Sequence, residues 1–189
     1  PEGERRIEKR WDDAASRLVM AYSTVPVGTD EDFDLDLIDT LLTGGRVSRL
    51  YKRLVLTDGL ATMVGSSSDT RMEGGAFWIN AEAVPGVDPA ELERVIEEEI
   101  TRLVEEPIPA KEMRRVQRTL RSGDAFEAET VSDLAEWFGG FAVDADWRML
   151  LDWEERRAAV NAKRVRATAR QFLTRERRVV GWSLPGKES

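Results

Sequence analysis

The sequence predicts an α+β domain with an antiparallel or mixed sheet. Segments typical of strands lie near the beginning of the chain and at its end, and the region between them is helical. Such segregation is typical of α+β folds, whereas alternating strands and helices would favour a parallel sheet. The 189 residues, 41% hydrophobic and 34% charged, are enough for one globular core without disulfides, and the chain has no cysteine. We expect a single domain over residues 1–189, strand-rich in 1–86 and helical in 87–189.

Five segments have strand character. Residues 5–11 predict a short edge strand, and residues 16–25 form an apolar run with β-branched and aromatic side chains. Residues 60–69 and 76–84 predict an antiparallel hairpin. Alternation in the second hairpin strand places four side chains on one face, namely Phe77, Ile79, Ala81 and Ala83. Residues 177–184 predict a closing strand.

The first predicted helix begins at Thr29. Thr29 and Asp32 have the spacing of a capping box, and an acidic first turn suits the helix dipole. The paired glycines Gly44 and Gly45 are interpreted as the end of this helix. They do not form a phosphate loop, because they follow a helix and lack the longer glycine arch with Lys-Ser/Thr that such a loop needs.

A second helix is predicted over residues 47–56, with Val47, Leu50 and Leu54 on one side. The helical part of the chain then opens at Asp88-Pro89, where Asp is the cap and Pro the first helical residue. Further helices are predicted over residues 110–127, 130–141 and 146–158, and Asn161 is the predicted cap of the last one.

The composition excludes several classes of function. The net charge of −8 argues against general nucleic-acid binding. The arginine-rich segments 114–121 and 156–178, like the glutamates of 97–99 and 154–155, are interpreted as solvated helix faces. The chain has no histidine, which excludes a Ser-His-Asp triad and a histidine-ligated zinc site and leaves open only a carboxylate metal site. No apolar run approaches the ~18 residues of a membrane span.

One stretch resembles a known signature. "LIDTLLTGGRVSRLYKRLVLTDGLATMVGSSS" is similar to the C-terminal, non-catalytic domain of the pitrilysin/insulinase-type zinc peptidases, a group that includes the mitochondrial processing peptidases. The segments "RLVMAYSTVPVGTDEDFDLDLIDTLL", "PIPAKEMRRVQRTLRSGDAFEAETVSDLAEWFG" and "RAAVNAKRVRATARQFLTRERRVVGWSLP" resemble further parts of that domain in the same order. The positions that match the signature are Gly44, Gly45, Ser48, Arg49, Leu50, Tyr51, Gly59, Leu60 and Ala61.

The resemblance implies a processing-peptidase-like (LuxS-like) metallohydrolase domain, with helices on one face of a mostly antiparallel sheet. Members of this family have two similar halves that close around a chamber. The first half carries an H-x-x-E-H zinc motif, whose zinc activates a water, and extended peptides are the substrates. Because this chain has no histidine, the resemblance implies an inactive half that binds no cofactor itself, with zinc in an N-terminal partner domain or subunit.

The resemblance also suggests residues that face the substrate. In many relatives an Arg and a Tyr of this half contact the substrate, and Val55 and Thr62 occupy those positions here. Compared with the relatives, this chain therefore lacks the Arg and Tyr side chains that donate hydrogen bonds to a substrate carbonyl, although Thr62 keeps a hydroxyl. The candidate residues of the substrate chamber are therefore Ser48, Arg49, Tyr51, Val55 and Thr62.

Three functions remain open at this stage. The first is a non-catalytic half that closes the chamber around peptide substrate. The second is a structural or assembly subunit of the same fold, similar to the core proteins of respiratory complexes. The third is a stand-alone peptide-binding module. Bacterial relatives are often exported, but the resemblance does not fix the compartment, and a bacterial periplasm and a bacterial cytoplasm both stay open.

Overall fold

A computed structural model describes residues 3–12, 14–127 and 130–186. Its strands are β1 (Arg5–Trp11), β2 (Arg17–Thr24), β3 (Ala61–Thr70), β4 (Gly75–Ala83) and β5 (Arg178–Pro185). Its α-helices are α1 (Asp30–Thr43), α2 (Pro89–Glu105), α3 (Ala110–Glu127), α4 (Val131–Asp144), α5 (Trp153–Ala158) and α6 (Ala162–Phe172). A π-helix spans Tyr51–Thr57, and 3-10 turns span Trp147–Leu151 and Arg175–Arg177.

The strands form one sheet in the order β1-β5-β2-β4-β3. The pairings β5·β2, β2·β4 and β4·β3 are antiparallel, and only β1·β5 is parallel. Residues 5–11 form an edge strand, as predicted, and the closing strand lies between β1 and β2. The predicted α+β class with a mostly antiparallel sheet is therefore confirmed.

The core lies between one face of the sheet and the helices. Alternate residues of each inner strand are buried there, as in the row Trp182, Leu18 and Ala81 that runs across β5, β2 and β4. The predicted inward face of β4 is confirmed, since Phe77, Ile79, Ala81 and Ala83 are all buried. Helices α1, α2 and α6 complete this layer through Leu, Ile and Val side chains.

The predicted capping box at the start of α1 is wrong. Thr29 is the N-cap, but its side chain makes no capping bond and instead donates to the carbonyl oxygen of Pro26. The buried Asp32 carboxylate accepts hydrogen bonds from the Gly28 amide at 2.7 Å and the Thr70 hydroxyl at 2.9 Å. Asp32 therefore joins the start of α1 to the end of β3 rather than capping its own helix.

The helix predicted over 47–56 is present but differs at both ends. A turn closed by the Ser48 amide on the Gly45 carbonyl places Val47 outside the helix, where it is 66% exposed. Leu50 and Leu54 are fully buried, as predicted. From Tyr51 onward the helix is a π-helix, a form that is often found at functional sites.

The helix predicted over 146–158 is divided in two. The 3-10 turn Trp147–Leu151 is separated from α5 by Asp152, whose φ of −120° and ψ of 7° are not helical. This break turns Trp153 inward, where its ring lies 4.5 Å from that of Phe33 and 4.9 Å from that of Phe141. The aromatic side chains of this region therefore pack against one another.

The glutamates of 97–99 are not a purely solvated run. Glu99 is buried and pairs with Arg102 at 2.8 Å and with Arg53 at 3.3 Å. Glu97 lies 2.6 Å from Arg178. The charged side of α2 is buried in part because basic side chains of the π-helix and of β5 reach it.

Candidate functional site

The glycine pair makes a tight turn, and each glycine is needed for a different reason. Gly44 has an ordinary φ of −68°, but a Cβ there would lie 2.5 Å from the carbonyl oxygen of Thr40. Gly45 has a φ of +89°, a conformation that favours glycine. Ser48, a predicted chamber residue, is fully buried and its hydroxyl donates to the Gly45 carbonyl at 2.6 Å. Its observed role is to hold this turn.

Arg49 is the next predicted chamber residue, and it makes a bidentate ion pair. Its Nε lies 3.0 Å from Oε1 of Glu112, and its Nη2 lies 2.7 Å from Oε2. Both side chains are largely shielded from solvent. Two parallel charge-assisted bonds fix the guanidinium in position. This ion pair joins the segment after the glycine turn to α3.

Tyr51 and Val55 lie on the π-helix, half-buried against the core. The π-helix ends where the Asp58 amide donates to the Arg53 carbonyl, five residues earlier. The Arg53 guanidinium also bonds the Asp58 side chain, and this hydrogen bond is the main cause of a raised pKa of Arg53. Tyr51 and Val55 thus project from a helix whose end is fixed by a backbone hydrogen bond and a side-chain hydrogen bond between Arg53 and Asp58.

Thr62 lies apart from the other four candidates, at the beginning of β3. The pairing of β3 with β4 is irregular between Ala61 and Met63, so Thr62 is the extra residue of a bulge. Its exposed hydroxyl donates to Glu82, at 3.1 Å from Oε1 and 3.3 Å from the backbone oxygen. Bulges often redirect a side chain next to a functional site. Thr62 is the most accessible of the predicted residues, and the assignment of all five to a substrate chamber stays a prediction.

Helix α1 carries three shielded carboxylates that were not predicted from the sequence as functional candidates. Burial raises the pKa of Asp32, Asp34 and Asp39 above its usual range, and hydrogen bonds offset this only in part. Asp39 accepts from the hydroxyls of Ser66 and Thr43. A signal was present, because acidic and apolar residues alternate in "DEDFDLDLID", which places some acids on the inward side of the helix.

The described residues do not fit a zinc ion. Within the ranges that the structure describes, no three Asp or Glu side chains are grouped so that they could hold a metal. The sequence offers no histidine or cysteine to add to them. In the same ranges, no helix combines the length and apolar character that crossing a membrane requires.

Comparison with known proteins agrees with the fold. A family profile described as the peptidase M16 inactive domain matches residues 1–120. No curated protein matches the chain. The structure is similar to a protease from Helicobacter pylori, with a TM-score of 0.92 and 19% identity over 97% of this chain, which spans only 45% of that protease.

Two other solved structures show the same fold. The inactive peptidase domain of a protein from Bordetella parapertussis described as a zinc protease has a TM-score of 0.84 and 20% identity, covering 96% of each chain. A chain in Complex III2 from Candida albicans has a TM-score of 0.77 and 12% identity, over 96% of this chain and 45% of that one. The family profile covers more than half of the sequence. The chain therefore belongs to the peptidase M16 family, as an inactive domain.

Proposed function

We propose that the chain is the non-catalytic half of a zinc metallopeptidase and forms one wall of a chamber around extended or unfolded peptides. A separate half with the H-x-x-E-H motif performs the hydrolysis. The match to the inactive domain of a peptidase family carries this proposal. The absence of histidine and cysteine from the sequence supports it, because the chain cannot supply the usual zinc ligands.

The face of the sheet that the helices leave uncovered offers a surface for the other half. Ile7 is 58% exposed, Trp11 53% and Met63 50%, and all three project from this face. The register places Ile7 beside Gly181 and Val19 in one row. Glu82 and Arg17 separate Met63 from the other two, so the apolar side chains lie at both edges of a face that also carries charge. Solvated sheet faces are normally polar, and exposed apolar side chains on them commonly mark interaction sites. We therefore assign this open sheet face to contact with the catalytic half.

The test combines this chain with the half of the native protein that carries H-x-x-E-H. We expect the chain alone to cleave no unfolded reporter peptide, and the two halves together to cleave it faster than the catalytic half alone. The variant Ile7→Glu/Met63→Glu weakens association of the halves in a sedimentation titration. Val131→Glu, on exposed α4, is the control. Zinc-dependent cleavage by the purified chain alone would overturn the proposal.

A second function is a structural subunit without proteolysis. It is favoured by Val55 and Thr62, which replace the Arg and the Tyr that the resemblance implies for many relatives at these positions. The likeness of fold to a chain in Complex III2 also supports it. A search of the native gene and its neighbours for H-x-x-E-H separates the two, since an intact motif supports the peptidase and degenerate halves alone support the structural subunit.

A further inference from the structure

Helix α3 carries a strongly basic groove. Five basic side chains lie along one side of this helix, at the spacing that places residues on a single face, and line an open groove of ≈ 1220 Å³. We call it the arginine groove and define it by Lys111, Arg114, Arg115, Arg118 and Arg121. The rest of the chain is acidic, because the net charge is −8 despite these five cations. The groove is therefore a positively charged region on a protein whose net charge is negative.

Most of the positive charge in the groove is not balanced by nearby acids. Among the described residues of the lining Glu112 is the one acid, and Arg49 already holds both of its oxygens. Arg121 has a solvent-exposed partner, Glu154, at 2.8 Å. Lys111, Arg114 and Arg118 form no ion pair with any residue that the structure describes. Clustered, unpaired cations of this kind attract an anionic partner.

Arg115 adds a second and independent observation. Its Nη1 donates to the carbonyl oxygen of Gly44 at 3.3 Å, which fixes the guanidinium beside the glycine turn. Its Nη2 is buried and has no hydrogen-bond acceptor among the described residues. An unsatisfied buried donor is costly, and a charged one more so. A carboxylate bound at Arg115 would satisfy this nitrogen.

The lining of the groove favours an acidic peptide over a nucleic acid. Val47 and Pro109 form an apolar rim suited to an aliphatic side chain. Among the residues of the lining that the structure describes, none is an aromatic on which a base could stack, and stacking is a main contribution to single-strand binding. The net negative charge of the protein also repels a long polyanion.

We propose that the arginine groove binds an acidic stretch of polypeptide. Carboxylates of the peptide pair with Arg114, Arg115 and Arg118, and a neighbouring apolar side chain packs on Val47. As a statement about substrate class, this inference rests on the proposed function: the peptidase would prefer peptides with acidic segments. The binding itself does not depend on a catalytic partner.

The experiment uses the 189-residue chain, since a related inactive domain of matching length has been solved as a separate chain. A labelled peptide in which glutamate alternates with leucine is titrated by fluorescence anisotropy, in parallel with the same peptide carrying glutamine. We expect the glutamate peptide to bind about tenfold tighter or more, as charge-assisted hydrogen bonds usually give. Arg114→Gln/Arg118→Gln removes this preference and lowers the salt dependence.

Arg5→Gln/Lys163→Gln is the matched control, because it removes the same charge from exposed positions outside the groove and keeps the preference. Equal affinity for the two peptides, or an equal loss in the control, would overturn the inference. Tighter binding of a single-stranded oligonucleotide than of the glutamate peptide would also overturn it. If the two halves cleave peptides but the groove does not bind them, only this inference fails. If no zinc half exists, binding to the isolated chain is still measured directly.

Discussion

Arg49 and Glu112 are joined by two parallel hydrogen bonds of 3.0 and 2.7 Å across a separation of 63 residues. This bidentate pair links the segment after the glycine turn to the first turn of α3. It also occupies the carboxylate that would otherwise neutralise the arginine groove. The pair thus contributes both to packing and to the charge of the groove.

Glu112→Gln is expected to destabilise the protein by about 1–3 kcal/mol, because Arg49 is then left without its carboxylate in a largely shielded position. Urea unfolding followed by circular dichroism measures this loss. Glu154→Gln is the control, since the exposed pair with Arg121 contributes at most about 1 kcal/mol. Equal losses in the two variants would show that the Arg49 pair behaves as a surface pair.

Gly44→Ala is expected to cost about 1–3 kcal/mol, the usual range for overpacking, because its Cβ would lie 2.5 Å from the Thr40 carbonyl oxygen. Gly123→Ala is the matched change in an exposed position of α3, where a Cβ meets nothing within 4 Å. That variant should be more stable by up to about 1 kcal/mol, since alanine favours a helix interior. Thermal melts compare the two, and a neutral Gly44→Ala would mean that the turn relaxes freely.

Asp39→Asn tests the shielded carboxylates of α1. Burial raises the pKa of Asp39 above the 3.8 of an unperturbed aspartate, so the folded state binds its proton more readily than the unfolded state. The free energy of unfolding therefore falls as the pH rises from 3.8 through the raised pKa of the folded state. The Asn variant should show a shallower fall and no loss of stability at neutral pH, measured by urea unfolding across this range.

Asp146→Asn is the control for the pH dependence measured with Asp39→Asn. A hydrogen bond from the Arg148 amide lowers the pKa of the exposed Asp146, so its contribution has the opposite sign. The variant should not flatten the fall in stability above pH 3.8. A flattening as large as that of Asp39→Asn would disprove the assignment to Asp39.

Glu93→Gln tests a cluster of charged side chains in which Glu93 of α2 pairs with Arg6 of β1 at 2.7 Å and with Arg178 of β5 at 3.4 Å. Burial alone would raise the pKa of Glu93, but hydrogen bonds from Arg6 and Trp182 and the charge of Arg178 outweigh it and lower the pKa below 4.5. Glu93 therefore adds stability above pH 4.5 that is lost as the pH falls through its lowered pKa.

At neutral pH the expected cost of Glu93→Gln is about 2 kcal/mol, less than for a fully broken buried pair because Arg178 keeps Glu97 as a partner. In this variant the free energy of unfolding should fall less steeply as the pH is lowered below 4.5. Glu91→Gln is the control on the same helix, where the partner Arg94 is exposed and 3.9 Å away. If the free energy of unfolding of Glu93→Gln falls at acidic pH as steeply as that of the parent protein, Glu93 does not contribute to the pH dependence of stability.

Local patterns were sufficient for most of the fold. Alternation in β4 identifies its buried face, because one face of this strand lies against the core. Alternation is the same in parallel and antiparallel strands, however, so the parallel pairing of β1 with β5 could not be read from the sequence. The π-helix was missed for a similar reason, since Leu50 and Leu54 lie on one face in either kind of helix.

The candidate site was harder to predict, because its features depend on residues far apart in the chain. Asp39 is shielded by hydroxyls that include Ser66 of β3, and Ser48 is buried by the turn that it closes. The arginines of 114–121 were interpreted as a solvated face. They line a groove only because the fold places Val47 and the Gly44 carbonyl beside α3.

The position of β5 has a consequence for the order of folding. Among the strands that the structure describes β5 is the last in sequence, yet it lies between β1 and β2, which do not pair with each other. On the ribosome, β2, β3 and β4 can associate early, while β1 has no neighbour in the sheet until residues 178–185 have been made. Long-range pairings of this kind form slowly and leave strand edges exposed meanwhile. The edge of β2 that pairs with β5 is thus the part of the sheet most open to aggregation during synthesis, because the apolar Leu18 and Met20 of β2 are buried only in the finished fold. β1 is protected by its own charge, with four basic residues and one glutamate among its seven. A chaperone that binds the nascent chain would find its target at the open edge of β2.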